Sequence, residues 1–267
     1  MTRRRLDAVL VARGLARSRS QAGDLIRAGG VTIDGRVVHK PSIPVSEEAT
    51  LVVTAAVEQW VSRAAHKLLR ALELWPIEVA GRRCLDVGAS TGGFTQVLLE
   101  HGAAHVTALD VGHGQLVEEV AADPRVVDLP GTNIRDVRPA TLGRPFDVVV
   151  CDVSFISLTL VLPVLRPLVS DAGDLVVLVK PQFEVGRERL GRTGVVTSRL
   201  EHHRVLRAVH STAGDLGLEV RRAAPSPIRG GDGNVEFLLW LVPRGPGPGG
   251  LSADDMLDSI DAQEEEP

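Results

Sequence analysis

The stretch Leu85-Asp86-Val87-Gly88-Ala89-Ser90-Thr91-Gly92-Gly93-Phe94-Thr95 decides the fold of this chain. An apolar run meets an acidic residue and then passes through a glycine-rich turn into residues that favour a helix. This pattern is typical of the first strand–turn–helix crossing in a nucleotide-cofactor sheet, where backbone N–H groups and a helix N-terminus approach a ligand. From Gly88 the chain reads G-A-S-T-G-G, which does not match the dinucleotide spacing G-x-G-x-x-G.

Around this stretch, strand-like apolar runs alternate with helical patterns. Strands are predicted at residues 83–87, 105–110, 126–129, 146–152 and 174–180, and helices at residues 91–101, 115–122, 158–169 and 199–216. Two further strands, at residues 218–222 and 235–242, close the pattern. The alternation predicts an α/β fold, a doubly wound and mostly parallel sheet.

The glycine-rich loop resembles the loop that holds S-adenosylmethionine in class I methyltransferases of the FtsJ-like kind. The resemblance implies a Rossmann-like S-adenosylmethionine-dependent methyltransferase domain over residues 63–244, ending in an antiparallel hairpin. Cofactor-binding residues are then expected at successive strand ends: Asp86, Gly88, Ala89, Ser90, Thr91, Gly92 and Gly93, then Asp110 and Val111, then Asn133, then Asp152. A dehydrogenase would also place an acid about 20 residues after its loop. The chain has no tyrosine for a Tyr-Lys pair, which weakens that alternative.

The first 40 residues are basic, with nine Lys or Arg against three acids, although the whole chain has a formal charge of −4. A basic segment indicates a polyanionic partner. The order R-L-D-x-x-L-x-x-x-G-L-A-R-S-R, continuing to Lys40-Pro41, resembles the alpha-L RNA-binding module of small-subunit ribosomal protein S-four. The resemblance implies a small α+β RNA-binding domain over residues 1–56 and a linker over residues 57–62. Its phosphate contacts would be Arg3, Arg4, Arg5, Arg17, Ser18, Arg19, Gln21 and Lys40.

Four polar residues stand where apolar elements would not otherwise place them: Lys67, Asp152, Lys180 and Glu236. Together they resemble the Lys-Asp-Lys-Glu set of ribose 2′-O-methyltransferases. The set implies that Lys180 is the group next to the ribose hydroxyl and Lys67 its cationic neighbour, with the two acids orienting the lysines. A lysine can act as a base only if its pKa is lowered, and neighbouring acids raise it. Whether Lys180 is the general base therefore stays open at this point.

The motifs Trp60-Val-Ser-Arg-Ala-Ala-His-Lys67, Asp152-Val-Ser-Phe-Ile-Ser-Leu158, Lys180-Pro-Gln-Phe-Glu184 and Gly233-Asn-Val-Glu-Phe237 add to the glycine loop and the basic module. Combined, they resemble the TlyA family over residues 3–242. The resemblance implies 2′-O-methylation of cytidine in ribosomal RNA, with the small and large ribosomal subunits as partners. The linker departs from the family pattern, because Glu58 stands where the longer family members carry an arginine.

Composition also bears on metal binding, on membrane association and on the C-terminal tail. The two cysteines, Cys84 and Cys151, lie in apolar runs, so buried thiols are expected and no metal site. No run approaches the roughly 20 apolar residues of a membrane helix, which predicts a cytoplasmic protein with no membrane partner. Residues 245–267 carry seven acids and no base, and a flexible tail is expected there, with at most a short helix near residues 253–260.

Two rival functions remain from the sequence. One is a membrane-active haemolysin, since members of the resembled family often carry that label. The other is a non-catalytic RNA-binding protein with a vestigial methyltransferase fold.

Overall fold

The computed structural model describes residues 4–16, 19–46, 48–54, 60–186, 188–191, 193–230, 233–245 and 249–264. The chain divides into two compact units, Met1–Arg63 and Ala64–Pro267. Each unit has a hydrophobic core of its own.

The first unit is a small α+β module. Its elements are β1 (Arg4–Arg5), α1 (Leu6–Ala12), α2 (Arg19–Arg27), β2 (Val31–Ile33), β3 (Arg36–Val37), β4 (Pro44–Val45) and β5 (Leu51–Val53). Strand β2 lies between β3 and β5, and β1 pairs with β4. Asp34 and Gly35 both have positive φ between β2 and β3, as a two-residue hairpin turn requires. Leu6, Leu10 and Ile26 are fully buried, so the two helices share the core of the module.

The second unit is built on a seven-stranded sheet. It contains α3 (Ala65–Leu74), β6 (Arg83–Val87), α4 (Gly93–Glu100), β7 (His105–Leu109), α5 (Glu118–Ala121), β8 (Val126–Leu129), β9 (Phe146–Cys151), α6 (Leu158–Leu165), β10 (Val169–Val179), α7 (Pro181–Glu184), α8 (Arg199–Asp215), β11 (Leu218–Pro225), β12 (Phe237–Pro243) and α9 (Ala253–Glu264). The strand order is β11-β12-β10-β9-β6-β7-β8. Strands β10, β9, β6, β7 and β8 are parallel, and β12 runs antiparallel between β10 and β11. The predicted α/β class and the closing antiparallel hairpin are therefore confirmed.

The glycine loop joins β6 to α4 and lies against the end of β9. Gly88 has φ +86°, and a Cβ there would lie 2.5 Å from the carbonyl oxygen of Asp152. Only glycine fits this close backbone approach without a shift. Since the carboxyl ends of parallel strands meet at one edge of a sheet, the contact brings the glycine loop beside the end of β9.

The C-terminal segment differs from the expected flexible tail. Helix α9 buries Met256, Leu257 and Ile260, and it packs on β11 and α8. Asp261 of α9 also pairs with Arg199 and His203 of α8. The helix expected near residues 253–260 is present and continues to Glu264. The alternative, a flexible tail, does not hold for residues 253–264, because apolar residues at helical spacing outweigh the acidic composition. Residues 246–248 and 265–267 lie outside the described residues.

The two cysteines are free and buried, as expected. Burial raises the pKa of Cys84 to about 12, which keeps this thiol protonated. In the part of the chain that the structure describes, no helix combines the length and apolarity needed to cross a membrane. The same residues contain no group of three or more His, Cys, Asp or Glu that could hold a metal ion.

Candidate active site

A cavity of about 1090 Å³ opens at the carboxyl ends of β6, β7, β9 and β10 in the second unit. One side is formed by the loops that follow β6, β7 and β8. The other side is formed by the loops that follow β9 and β10. A cavity at this position is where doubly wound sheets bind their ligands.

Asp110 shapes the first side of the cavity. Its carboxylate accepts hydrogen bonds from the backbone N–H of Ser90 (2.8 Å) and of Gly112 (2.7 Å), and from the Gln115 side chain (3.2 Å). A carboxylate has about four acceptor positions, so one remains for a ligand hydroxyl. This remaining position suits a ribose hydroxyl, the group that Asp110 is expected to bind.

Val111 and Asn133 complete this side. Val111 is 66% exposed and provides an apolar surface on the cavity wall. The side-chain oxygen of Asn133 accepts from the backbone N–H of Arg135 (3.1 Å). Among the described residues, the Asn133 amide nitrogen has no partner, so it is available to an acceptor on an adenine ring.

Not every predicted cofactor residue reaches the cavity. Gly88, Ser90, Asp110, Val111, Asn133 and Asp152 line it, whereas the predicted residues that do not line it are Asp86, Ala89, Thr91, Gly92 and Gly93. The glycines at 92 and 93 begin α4, where a Cβ on Gly92 would lie 2.8 Å from the Leu116 side chain. These residues set the path of the loop instead of facing the cavity.

Asp86 lies below the loop and is fully buried. One carboxyl oxygen accepts from the Thr95 hydroxyl (2.7 Å), and the other has no partner among the described residues. Burial raises the pKa of Asp86 to about 7; the Thr95 bond opposes this shift, and the charges of Asp152 and Asp110 add to it. Asp86 therefore exchanges a proton near neutral pH without reaching the cavity.

The four predicted catalytic residues come together. Asp152 follows β9 and contacts both lysines, with Lys180 Nζ 2.5 Å from Oδ1 and Lys67 Nζ 3.3 Å from Oδ2. Glu236, just before β12, places Oε2 2.7 Å from Lys67 Nζ. The side chains are 3–12% exposed, although they come from four separate segments of the chain.

The cluster is electrically balanced, with two ammonium and two carboxylate groups. Burial alone would raise the pKa of Asp152, but the charges of Lys180 and Lys67 outweigh it and lower this pKa below its usual value. Asp152 is thus an anion that fixes the positions of both ammonium groups. Of the four residues, Asp152 lines the cavity, and the other three lie behind it, where both lysines contact Asp152 and Glu236 contacts Lys67.

Two features of the second side were not identified from the sequence. The hydroxyl of Ser154 accepts from Lys180 Nζ (3.0 Å). Phe155 has φ +65° and is 91% exposed, and its ring lies 5.0 Å from that of Phe183. A positive φ is strained for a phenylalanine and is found where function requires it. The sequence carried only the motif Asp152-Val-Ser-Phe, which does not reveal backbone strain.

In the first unit, Asp7 organises part of the predicted RNA-binding set. It is 4% exposed and pairs with Arg5 (2.9 Å) and Arg19 (3.2 Å), both of which are more than half exposed. The Arg5 hydrogen bond is the main cause that lowers the pKa of Asp7 to about 2. Arg4 and Lys40 are exposed, and Gln21 is half-buried. The predicted contacts Arg3, Arg17 and Ser18, and the linker residue Glu58, lie outside the described residues.

Comparison with known proteins places the two units in families. Residues 60–242 match the FtsJ-like methyltransferase family, and residues 4–51 match the S4 domain. A Mycobacterium tuberculosis protein, the 16S/23S rRNA (cytidine-2′-O)-methyltransferase TlyA, is 52% identical over 97% of this chain and 96% of its own length. The chain belongs to the TlyA family of FtsJ-like methyltransferases.

Two further relatives of this methyltransferase carry another name. Hemolysin A of Brachyspira hyodysenteriae is 37% identical over 89% of this chain and 99% of its own length. A solved structure of a haemolysin-named protein from Streptococcus thermophilus is 36% identical, with a TM-score of 0.79, over 100% of this chain and 97% of that one. The family spans both units of the methyltransferase.

The cofactor of this methyltransferase is S-adenosylmethionine, and the cavity residues fit it. Asp110 has an acceptor position for the ribose hydroxyls, Asn133 has a donor, and the exposed side chain of Val111 suits the adenine face. The balanced cluster lies on the opposite side of the same cavity. When bound, the cofactor supplies an electrophilic methyl group, so this chain has to position the acceptor atom and accept its proton.

Proposed function

We propose that this enzyme transfers a methyl group from S-adenosylmethionine to the ribose 2′-oxygen of cytidine in ribosomal RNA, acting on the small and the large ribosomal subunit. The observation that carries the proposal is the buried Lys67–Asp152–Lys180–Glu236 cluster on the wall of the cofactor cavity. The cytidine is suggested by the name of the 52% identical relative, and the two subunits by the 16S and 23S rRNA that this name states.

The roles within the cluster follow from its contacts. Lys180 pairs with Asp152 and donates a hydrogen bond to Ser154 (3.0 Å), and both of these partners line the cavity. Lys67 contacts one lining residue, Asp152, and its other partner, Glu236, does not line the cavity. We assign Lys180 to the 2′-hydroxyl as its orienting group, and as its proton acceptor once the ammonium group has released a proton to solvent. Lys67 supplies the neighbouring positive charge, while Asp152 and Glu236 hold the two ammonium groups in place.

RNA recognition is assigned to residues 1–56. Arginine can donate two parallel hydrogen bonds to a phosphate, which positions an RNA backbone without reading sequence. Asp7 holds Arg5 and Arg19 through one carboxylate, so two of the proposed phosphate contacts are fixed relative to each other. Arg4 and Lys40 add exposed positive charge.

The proposal is tested with tritiated S-adenosylmethionine and isolated ribosomal subunits from a strain that lacks the enzyme. The expected result is incorporation into both subunits, with the label on the 2′-oxygen of one cytidine in each after nuclease mapping. Label on a base, or no label in either subunit, would refute the proposal.

Two variants separate the roles proposed for Lys180. Lys180→Ala removes both charge and proton acceptor, whereas Lys180→Arg keeps the charge but cannot accept a proton. Loss of a general base lowers a rate by about 10²–10⁴-fold, and we expect both variants to fall in this range. If Lys180→Arg retains most of the activity, Lys180 acts by charge and position alone, and the base role is wrong.

A further inference from the structure

Gln182 has a polar atom that nothing in the described parts of the protein satisfies. It belongs to α7, directly after Lys180-Pro181, and it lines the cavity. Its side-chain oxygen is buried and has no hydrogen-bond donor among the described residues. A buried amide oxygen without a donor costs about 1–3 kcal/mol. Such an atom calls for an explanation, and a ligand that supplies the donor is one.

The surroundings of Gln182 place it on the acceptor side of the cavity. It is two residues from Lys180, and the next residue, Phe183, contacts the exposed ring of Phe155. The cofactor residues Asp110 and Asn133 belong to the loops after β7 and β8, on the other side of the cavity. A nucleobase attached to a ribose at Lys180 would therefore extend among Gln182, Phe155 and Phe183.

Helix α7, which carries this amide, is anchored to α6. The carboxylate of Glu184 accepts from the Ser157 hydroxyl (2.5 Å) and from the Leu158 N–H (2.7 Å). These bonds connect α7 to the start of α6. They also hold the C-terminal end of the loop between β9 and α6, which carries Ser154 and Phe155. An anchored helix fixes the backbone position of Gln182, so less backbone freedom is lost when a base binds.

We propose that Gln182 is a specificity-determining residue that binds the Watson–Crick edge of the target cytosine. Its oxygen accepts from the exocyclic amine, and its nitrogen donates to the ring nitrogen N3. In this amide orientation uracil places a carbonyl oxygen where cytosine has the amine, so the two oxygens would face each other, and uracil could bind only if the amide turned over. The inference rests on the proposed function, since it concerns the base of the nucleotide whose ribose is methylated.

The test compares wild type and Gln182→Ala on subunits with the natural target cytidine and on subunits with uridine at that position. The measured quantity is kcat/KM for tritium transfer. We expect wild type to prefer cytidine, and Gln182→Ala to lose about 10-fold on cytidine and to bring the cytidine-to-uridine ratio close to one. For Gln182→Ala, the dissociation constant for S-adenosylmethionine, measured by calorimetry without RNA, should stay within about 2-fold of the wild-type value. The removed amide is uncharged and lies across the cavity from the residues expected to bind the cofactor.

Gln115→Ala is the matched control, since it removes an amide from the opposite side of the same cavity. Gln115 donates to Asp110, so this variant should weaken S-adenosylmethionine binding and leave the cytidine-to-uridine ratio unchanged. If Gln182→Ala keeps the wild-type ratio, or changes only the cofactor affinity, the inference is wrong while the methyl transfer stands. If wild type methylates neither subunit, the proposed function itself fails.

Discussion

The Lys67–Glu236 pair gives a quantitative test of the buried cluster. Glu236→Gln keeps the side-chain shape and removes one of two negative charges, which leaves the cluster with a net charge of +1. At 2.7 Å the direct attraction is about 6 kcal/mol for an effective dielectric constant near 20. The desolvation of Glu236 opposes this attraction, and removing one partner of a buried pair costs about 3–5 kcal/mol in practice.

The expected loss lies near the lower end of that range. Lys67 keeps the Asp152 carboxylate at 3.3 Å, so its charge is still partly compensated in the variant. We expect Glu236→Gln to lower the free energy of unfolding by about 3 kcal/mol. The measurement is urea unfolding followed by tryptophan fluorescence, since Trp75 and Trp240 stack in the same unit as the cluster.

A double-mutant cycle with Lys67→Met isolates the pair. Because the double variant no longer buries an unpaired lysine, it should be less destabilised than the sum of the two single variants by about 2 kcal/mol. The matched control is Glu73→Gln on the same helix as Lys67. Glu73 is 3.8 Å from Arg70 in an exposed pair, whose removal should cost below about 0.5 kcal/mol. A coupling energy near zero would refute the view that the cluster acts as one charge-balanced unit.

Three further predictions concern other positions. The folded-state pKa of Asp7, about 2, lies below its usual 3.8, so the pair with Arg5 and Arg19 stabilises the protein above about pH 4 and is lost as the pH falls towards 2. Asp7→Asn should reduce the free energy of unfolding by about 1 kcal/mol at pH 7 and by clearly less at pH 2, where about half of the Asp7 carboxyl is protonated. The measurement is urea unfolding at both pH values, and equal losses would contradict this. The pKa of Asp86, about 7, lies above its usual 3.8, so its ionisation destabilises the fold progressively from about pH 4 and fully above pH 7. Asp86→Asn should therefore gain stability relative to wild type as pH rises from 5 to 8, and a difference independent of pH would overturn the assignment. Gly88 has φ +86°, and Gly88→Ala would place a Cβ 2.5 Å from a backbone oxygen. Calorimetry should therefore show S-adenosylmethionine binding weakened by at least about 10-fold. Gly114→Ala is the control for the strain of a positive φ alone, since no atom lies within 4 Å of the added Cβ.

The periodic parts of the fold could be predicted from sequence, and the boundaries that depend on packing could not. The strand at residues 126–129 and the hairpin turn at Asp34-Gly35 agree with prediction. The helix predicted at residues 158–169 ends at Leu165, and β10 begins at Val169, well before the predicted residue 174. Residues 169–173 carry Ser170, Asp171 and Gly173, which do not read as a strand, yet they continue β10 through a shift in its register with β9.

The structure of the acidic tail also depends on packing that the local sequence does not reveal. Its composition predicts flexibility, but Met256, Leu257 and Ile260 find an apolar surface on β11 and α8. A helix with three buried apolar residues is stabilised by that surface and not by its own propensity. This surface on β11 and α8 is formed by residues that are distant in sequence from α9, so the sequence of the tail alone does not predict it.

The amino-acid sequence by itself determined the alternation of strands and helices, the glycine loop, and the residue types from which a methyl-transfer site is built. These are local properties, set by periodicity, by the steric freedom of glycine and by the chemistry of each side chain. Tertiary structure alone decided that one carboxylate, Asp152, holds both lysines and that Asp86 lies below the loop instead of in the cavity. It also decided that the Gln182 oxygen has no donor among the residues that the structure describes. The reason is physical: the pairing and burial of a charge depend on distances of a few ångströms between segments that the chain brings together only on folding.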